Sequence, residues 1–97
     1  MISETVDREG RRVVLDDAGW RHILEEHQEM EVHLEAVMLT VSEPQHWRED
    51  PRPGRMRYWR PELGPSRWLM VVVDFGVDPA RVVTAYGIRK NPLGWAP

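Results

Sequence analysis

From Trp20 onward, apolar residues return at helical intervals: Trp20, Ile23 and Leu24, then Met30, Leu34, Val37, Met38 and Val41. This is the i, i+3, i+4, i+7 stripe of an amphipathic helix, and Glu25, Glu26, Glu29, Glu31 and Glu35 mostly fill the opposite side. The phase holds without a break over 20–41, which permits one long helix. Globular helices usually run about 8–20 residues, so the pattern predicts two, near 17–27 and 31–42, with a bend near Gln28. Asp16 is placed to cap the first of them, its carboxylate taking an unpaired N–H of the opening turn, and Asp17 suits the positive end of the helix dipole. Leu15 and Trp20 have the spacing of a hydrophobic staple across that cap. Pro44 ends the helical region.

Beyond Pro44 the period shortens. Gln45–Asp50 is a candidate strand, closed by the turn cluster Pro51-Arg52-Pro53-Gly54. Arg55–Arg60 follows and stops at Pro61, Gly64-Pro65 makes a second turn, and Trp68–Phe75 is the β-branched apolar run of a central strand. Gly76 to Pro79 then turns the chain into Arg81–Ile88. The expected sheet segments are 45–50, 55–60, 67–75 and 81–89, joined by connections too short for crossover helices, so they should pair as antiparallel hairpins. Upstream, Arg12–Leu15 reads as a short strand or an extended lead-in to the first helix. The expectation is therefore an α+β domain with two N-terminal helices packed on one face of a four-stranded antiparallel sheet, the other face free for solvent or substrate. Trp20, Ile23, Leu24, Leu34, Val37, Met38, Val41, Val71 and Val73 should form its core. The tail from Asn91 reads as loosely ordered, with Leu93 and Trp95 able to dock it.

A chain of 97 residues, 41% apolar, fits a single domain spanning 1–97 with one modest core. The absence of cysteine removes disulfides and thiolate metal sites and fits a reducing cytosol. The N-terminus has neither a basic nor an apolar leader region, and the run Trp68–Val73 is far too short to span a bilayer. A cytoplasmic location with no membrane partner is expected. The net charge of −3 conceals an asymmetry: residues 1–50 hold 13 acids against five basic residues, and residues 51–97 hold three acids against eight. Local potential matters more than the total for nucleic-acid binding, so the sheet half can carry a cationic footprint.

The candidate chemistry is dispersed. His27 lies on the helix stripe, one turn after Ile23 and Leu24, so it points toward the sheet; imidazole is a common general acid or base, and a buried structural histidine is the competing reading. His22 sits at the helix flank, and His33 and His46 read as surface residues. His22 and His27 are five apart, not three or four, and no H-E-x-x-H motif is present, so neither a metal nor another cofactor is expected. Along the last strand, alternation groups Val82, Thr84, Tyr86 and Ile88 on one face and Val83, Ala85 and Gly87 on the other, with Arg89 and Lys90 at its end. The preceding strands add Arg55, Arg57, Tyr58, Trp59 and Arg60. Arginine mixed with aromatic rings suits single-stranded RNA, guanidinium for phosphate and rings for bases, while ordinary cross-strand packing explains the same residues without a ligand.

In order and spacing, several pieces resemble a phage-type branch of the barnase–EndoU–colicin–RelE (BECR) nuclease fold. They are Leu15-Asp16-Asp17-x-x-Trp20-x-His22-Ile23-Leu24-x-x-His27-x-Glu29-Met30, Val37-x-x-Thr40-Val41-x-x-Pro44, Arg57-Tyr58-Trp59, the strand Trp68–Val73, and Val82-Val83-Thr84-Ala85-Tyr86. The resemblance implies a RelE-like arrangement of two helices and four antiparallel strands, with a proline after the second histidine where this chain has Gln28. It also implies a metal-independent endoribonuclease of the kind found in bacterial and phage toxins, cutting RNA by attack of the 2′-OH on the neighbouring phosphate. On that reading His27 is acid or base, Arg57 the phosphate cation, and Thr84 and Tyr86 positioning donors. Arg55, Tyr58, Trp59, Arg60, Arg89 and Lys90 would bind the RNA, and a neutralising antitoxin or immunity protein is the expected protein partner. The alternative is a non-catalytic RNA- or protein-binding module with His27 structural.

Overall fold

In the computed structural model, which describes residues 2–92, the apolar stripe is carried by three successive pieces. Helix α1 spans Asp17–Glu26, a 3-10 segment spans Gln28–Val32, and helix α2 spans Leu34–Ser42. Asp16 caps α1, its carboxylate accepting the Gly19 N–H at 2.7 Å. The α-helix stops at Glu26 with no proline behind it: His27 takes φ −139° and ψ 70°, while its N–H still closes on the Ile23 carbonyl at 2.7 Å. Met30 in the 3-10 segment is fully buried, so the bend keeps the stripe facing the core.

The strands are β1 (Ser3–Val6), β2 (Arg12–Leu15), β3 (His46–Glu49), β4 (Arg55–Pro61), β5 (Trp68–Asp74) and β6 (Ala80–Ile88). The last four lie within one residue of their predicted ends and pair antiparallel in succession. The expected four-stranded, wholly antiparallel sheet is nonetheless wrong. The sheet has six strands in the order β1-β2-β6-β5-β4-β3, and β2 pairs with β6 in parallel, Val13 opposite Ala80 and Val14 opposite Arg81. Short connections forbid parallel pairing only between consecutive strands. Between β2 and β6 lie both helices and three strands, a connection ample for a crossover.

The added hairpin is built on its turn. The Asp7 carboxylate accepts the N–H groups of Glu9 at 2.9 Å and Arg11 at 2.8 Å, and Gly10 supplies the positive φ of +85° that the turn requires. Its tip curls back toward β3 and β5, where Arg8 lies 3.7 Å over the Trp47 ring and Arg11 lies 3.8 Å over Phe75.

One face of the sheet is closed by the helices. Val13, Leu15, Tyr58, Leu69, Val71, Val73, Val82 and Ala85 pack there against Ile23, Met30, Val37, Met38 and Val41. Each fully buried aliphatic of this set contributes about 1.5–3 kcal/mol of transfer free energy. Trp20, Leu24 and Leu34, expected in the core, are only half-buried at its margin, because Trp20 and Leu24 line an open groove with Ile2 on the outer side of α1. Since β2 covers only the start of β6, α1 takes the rest of that flank. A Cβ on Gly19 would stand 3.1 Å from the Asp16 carboxylate oxygen, so the small residue leaves room for the capping side chain. No helix among the described residues is long and apolar enough to cross a membrane. Leu93 and Trp95 lie outside the described residues.

Candidate functional site

The face turned away from the helices carries a second apolar set, Trp59, Met70 and Val72, bordered by Trp68, Val83, Tyr86 and Ile88. Register places the candidate residues on it. Arg57, Val72 and Thr84 form one row across β4, β5 and β6, and Trp59, Met70 and Tyr86 form the next. A β-bulge falls between the pairs Val72–Thr84 and Val73–Val82. It moves Val82 to the helix side with Ala85 and leaves Val83 on the open side, the reverse of what simple alternation predicts.

Arg57, Thr84 and Tyr86 line one shallow depression of about 220 Å³, together with Arg52 and Arg55. Its apolar floor is Met70 and Val72. His27, at the end of α1, is not among the lining residues but touches one of them. Its ring stacks on Tyr86 with centroids 4.7 Å apart and planes at 24°. The imidazole keeps 27% of its surface exposed, and its Nδ1 lies 3.7 Å from the Glu29 carboxylate. The helix that flanks β6 thus sets His27 beside a site whose other members come from the sheet and the β3–β4 turn.

Asp50 completes the arrangement and was not foreseen. One carboxylate oxygen accepts Arg57 Nε at 2.6 Å, and the other accepts the Arg52 N–H at 2.8 Å. The Arg52 N–H first, and then the Arg57 guanidinium, hold this carboxyl below the usual carboxylate range, so it is ionised at neutral pH. Because Asp50 grips Arg57 through Nε, the two terminal nitrogens make no hydrogen bond among the described residues and remain for an anion. Arg55 is held more loosely, 4.0 Å from the Asp74 carboxylate across the β4–β5 pair. The signal for Asp50 was present in the sequence, since an aspartate directly before a Pro-x-Pro-Gly turn commonly closes it with its side chain.

Other candidates are placed elsewhere. Tyr58 is on the helix face and 1% exposed, its phenol pushed up to about 12 by burial and then by the nearby Asp7 carboxylate. Arg60 turns to the same side and donates from Nη1 to the Glu43 carbonyl at the end of α2. Neither is presented to a ligand on the open face. Trp59 is on the open face but 3% exposed, beneath the Arg48 guanidinium at 5.2 Å. Arg89 and Lys90 are exposed just past the end of β6, where Arg89 shares a separate polar depression with Arg67. His46, read as a surface residue, is half-buried against Trp68 with ring centroids 5.6 Å apart. His22 is exposed, 3.8 Å from Glu26. Among the described residues no three His, Asp or Glu side chains form a group able to hold a metal ion.

No family model, no curated protein and no solved structure matches this chain. The likeness to the BECR nucleases therefore rests on the sequence pieces alone.

Proposed function

We propose that this chain is a metal-independent endoribonuclease domain that cuts single-stranded RNA on the open face of its sheet. The observation that carries the reading is that Arg57, Thr84 and Tyr86, far apart in sequence, line one cationic depression, and that His27 stacks on Tyr86 beside it. The site supports attack of a ribose 2′-OH on the adjacent phosphate: the 2′-O–P bond forms, the P–O5′ bond breaks, and the products are a 2′,3′-cyclic phosphate and a 5′-OH. Arg57, prepositioned by Asp50, meets the phosphate with a planar fork of donors that a lysine does not reproduce. The Thr84 and Tyr86 hydroxyls fix the phosphate oxygens, a positioning effect. His27, steadied by Tyr86 and by the Glu29 carboxylate, moves the proton to or from the reacting oxygen.

A toxin role in the cytoplasm, with an acidic neutralising protein covering the arginine-rich face, belongs to the same proposal. A second reading, an RNA-binding module without catalysis, is favoured by one observation: Arg57 already has a carboxylate partner in Asp50. The two are separated by incubating the protein with a defined RNA in excess EDTA and examining the new ends. New 2′,3′-cyclic phosphate termini support the nuclease; retention of intact RNA that is bound but never cut supports the module.

A further inference from the structure

Next to the depression on the same face is a second cleft of about 250 Å³, at the outer edge of the sheet. It is lined by Gln45, His46, Trp47, Arg48, Trp59 and Pro92. We propose that this cleft is a base-recognition subsite, taking the nucleobase of the nucleotide whose phosphate sits at Arg57. The inference deepens the ribonuclease reading and rests on it for the identity of the ligand.

Three observations carry it. The first is register. Arg48 and Arg57 are direct cross-strand partners, so their Cβ atoms lie about 4.5–5.5 Å apart, and Trp59 follows Arg57 by two residues on the same face, about 7 Å along the strand. A phosphate at Arg57 therefore has its own sugar and base within reach of the cleft. The second is size and lining. Drug-sized ligands fill roughly 300–1,000 Å³, so this smaller cleft suits a single flat ring system. Of its rings, His46 and Trp59 share the open face by register, while Trp47, opposite Tyr58, turns to the other side beneath Arg8. The Arg48 guanidinium lies over the Trp59 indole and offers a planar cation for a base to stack on. The third is unused polarity. The Gln45 amide and the His46 imidazole make no side-chain hydrogen bond among the described residues, and both stand at the cleft wall. A glutamine amide presents a donor beside an acceptor, the pattern a Watson–Crick edge requires. The open face then holds adjacent subsites for one nucleotide, cationic for the phosphate and aromatic for the base.

The test uses ligands that cannot be cleaved, so that its outcome is independent of catalysis. Affinities of the four nucleoside 5′-monophosphates, ribose 5-phosphate and inorganic phosphate are measured by calorimetry on the full chain. At least one nucleotide should bind about 5- to 150-fold more tightly than inorganic phosphate, the worth of stacking one base, while ribose 5-phosphate should bind like phosphate. In a Gln45→Ala/Arg48→Gln chain that ratio should fall to near one. Both positions are exposed, so the fold is not at stake. A ratio near one in the unaltered protein, or a ratio that the double substitution leaves unchanged, overturns the proposal. RNA cleavage without a nucleotide preference would sink the subsite alone; a nucleotide preference without cleavage would sink the nuclease alone.

Discussion

Replacing Ile23 by alanine should be among the most damaging single changes outside the site, and it also tests how α1 holds His27. Ile23 is fully buried between α1 and the sheet, and its carbonyl accepts the His27 N–H that ends the helix. The substitution removes three carbon groups. At about 0.8 kcal/mol each the transfer loss is roughly 2.4 kcal/mol, and the cavity left behind raises it to about 3–4 kcal/mol, inside the usual range of about 2–5. A domain of this size has only about 5–15 kcal/mol in total. At about 4–8 °C per kcal/mol, Tm should fall by roughly 12–30 °C. Leu24 is the control. It is the neighbouring position on the same helix but half-buried, so Leu24→Ala should cost clearly less. Both are measured by urea unfolding followed by circular dichroism. A loss below about 1 kcal/mol for Ile23→Ala, or an equal or larger loss for Leu24→Ala, would mean that α1 packs through a different face, and His27 would then not stand against Tyr86.

Two further outcomes follow from the packing. A Cβ on Gly87 would meet the Ser66 Cβ at 2.9 Å and the Pro65 Cγ at 3.1 Å, so Gly87→Ala should destabilise by about 1–3 kcal/mol in the same unfolding assay. Tyr58 gives a pH signature: its folded pKa of about 12 exceeds the ordinary value of about 10. The neutral phenol is the form the fold favours, so this contribution is complete below about pH 10 and is lost as pH rises through about 12. Tyrosinate absorbance, compared with a Tyr58→Phe chain, should show Tyr58 ionising only as the circular dichroism collapses. Ionisation near pH 10 with the fold intact would contradict its burial.

Most of the chain's local structure was legible because period and punctuation agreed. The stripe from Trp20 to Val41, the Asp16 cap and the turn clusters at Pro51–Gly54 and Gly76–Pro79 each act over a few residues. The parallel pairing of β2 with β6 was not legible. It joins residues more than 60 positions apart, and Arg12–Leu15 is too short to show an alternation that would assign its neighbour. The same distinction applies to the site. His27 was readable as pointing to the sheet, but its stacking on Tyr86 depends on α1 filling the flank that β2 leaves uncovered. Tyr58 and Trp59 could not be separated by residue type, since both are aromatics beside arginines. One-residue alternation sends Tyr58 into the helix core and Trp59 to the open face. Asp50 was overlooked because an acid in a cationic strand pair reads as surface until its bond to Arg57 is seen.

The measurement that bears most directly on the proposed chemistry is the single-turnover rate of cleavage of a defined RNA, in EDTA, by the unaltered chain and by His27→Ala. The imidazole is partly exposed beside the depression, so its removal should leave the unfolding curve little changed. Cleavage should persist under chelation in the unaltered protein and fall about 10²–10⁴-fold in the variant, the usual consequence of losing one general acid or base. Cleavage abolished by EDTA, or a His27→Ala chain that cuts RNA as fast as the original, would contradict the proposed role of this residue.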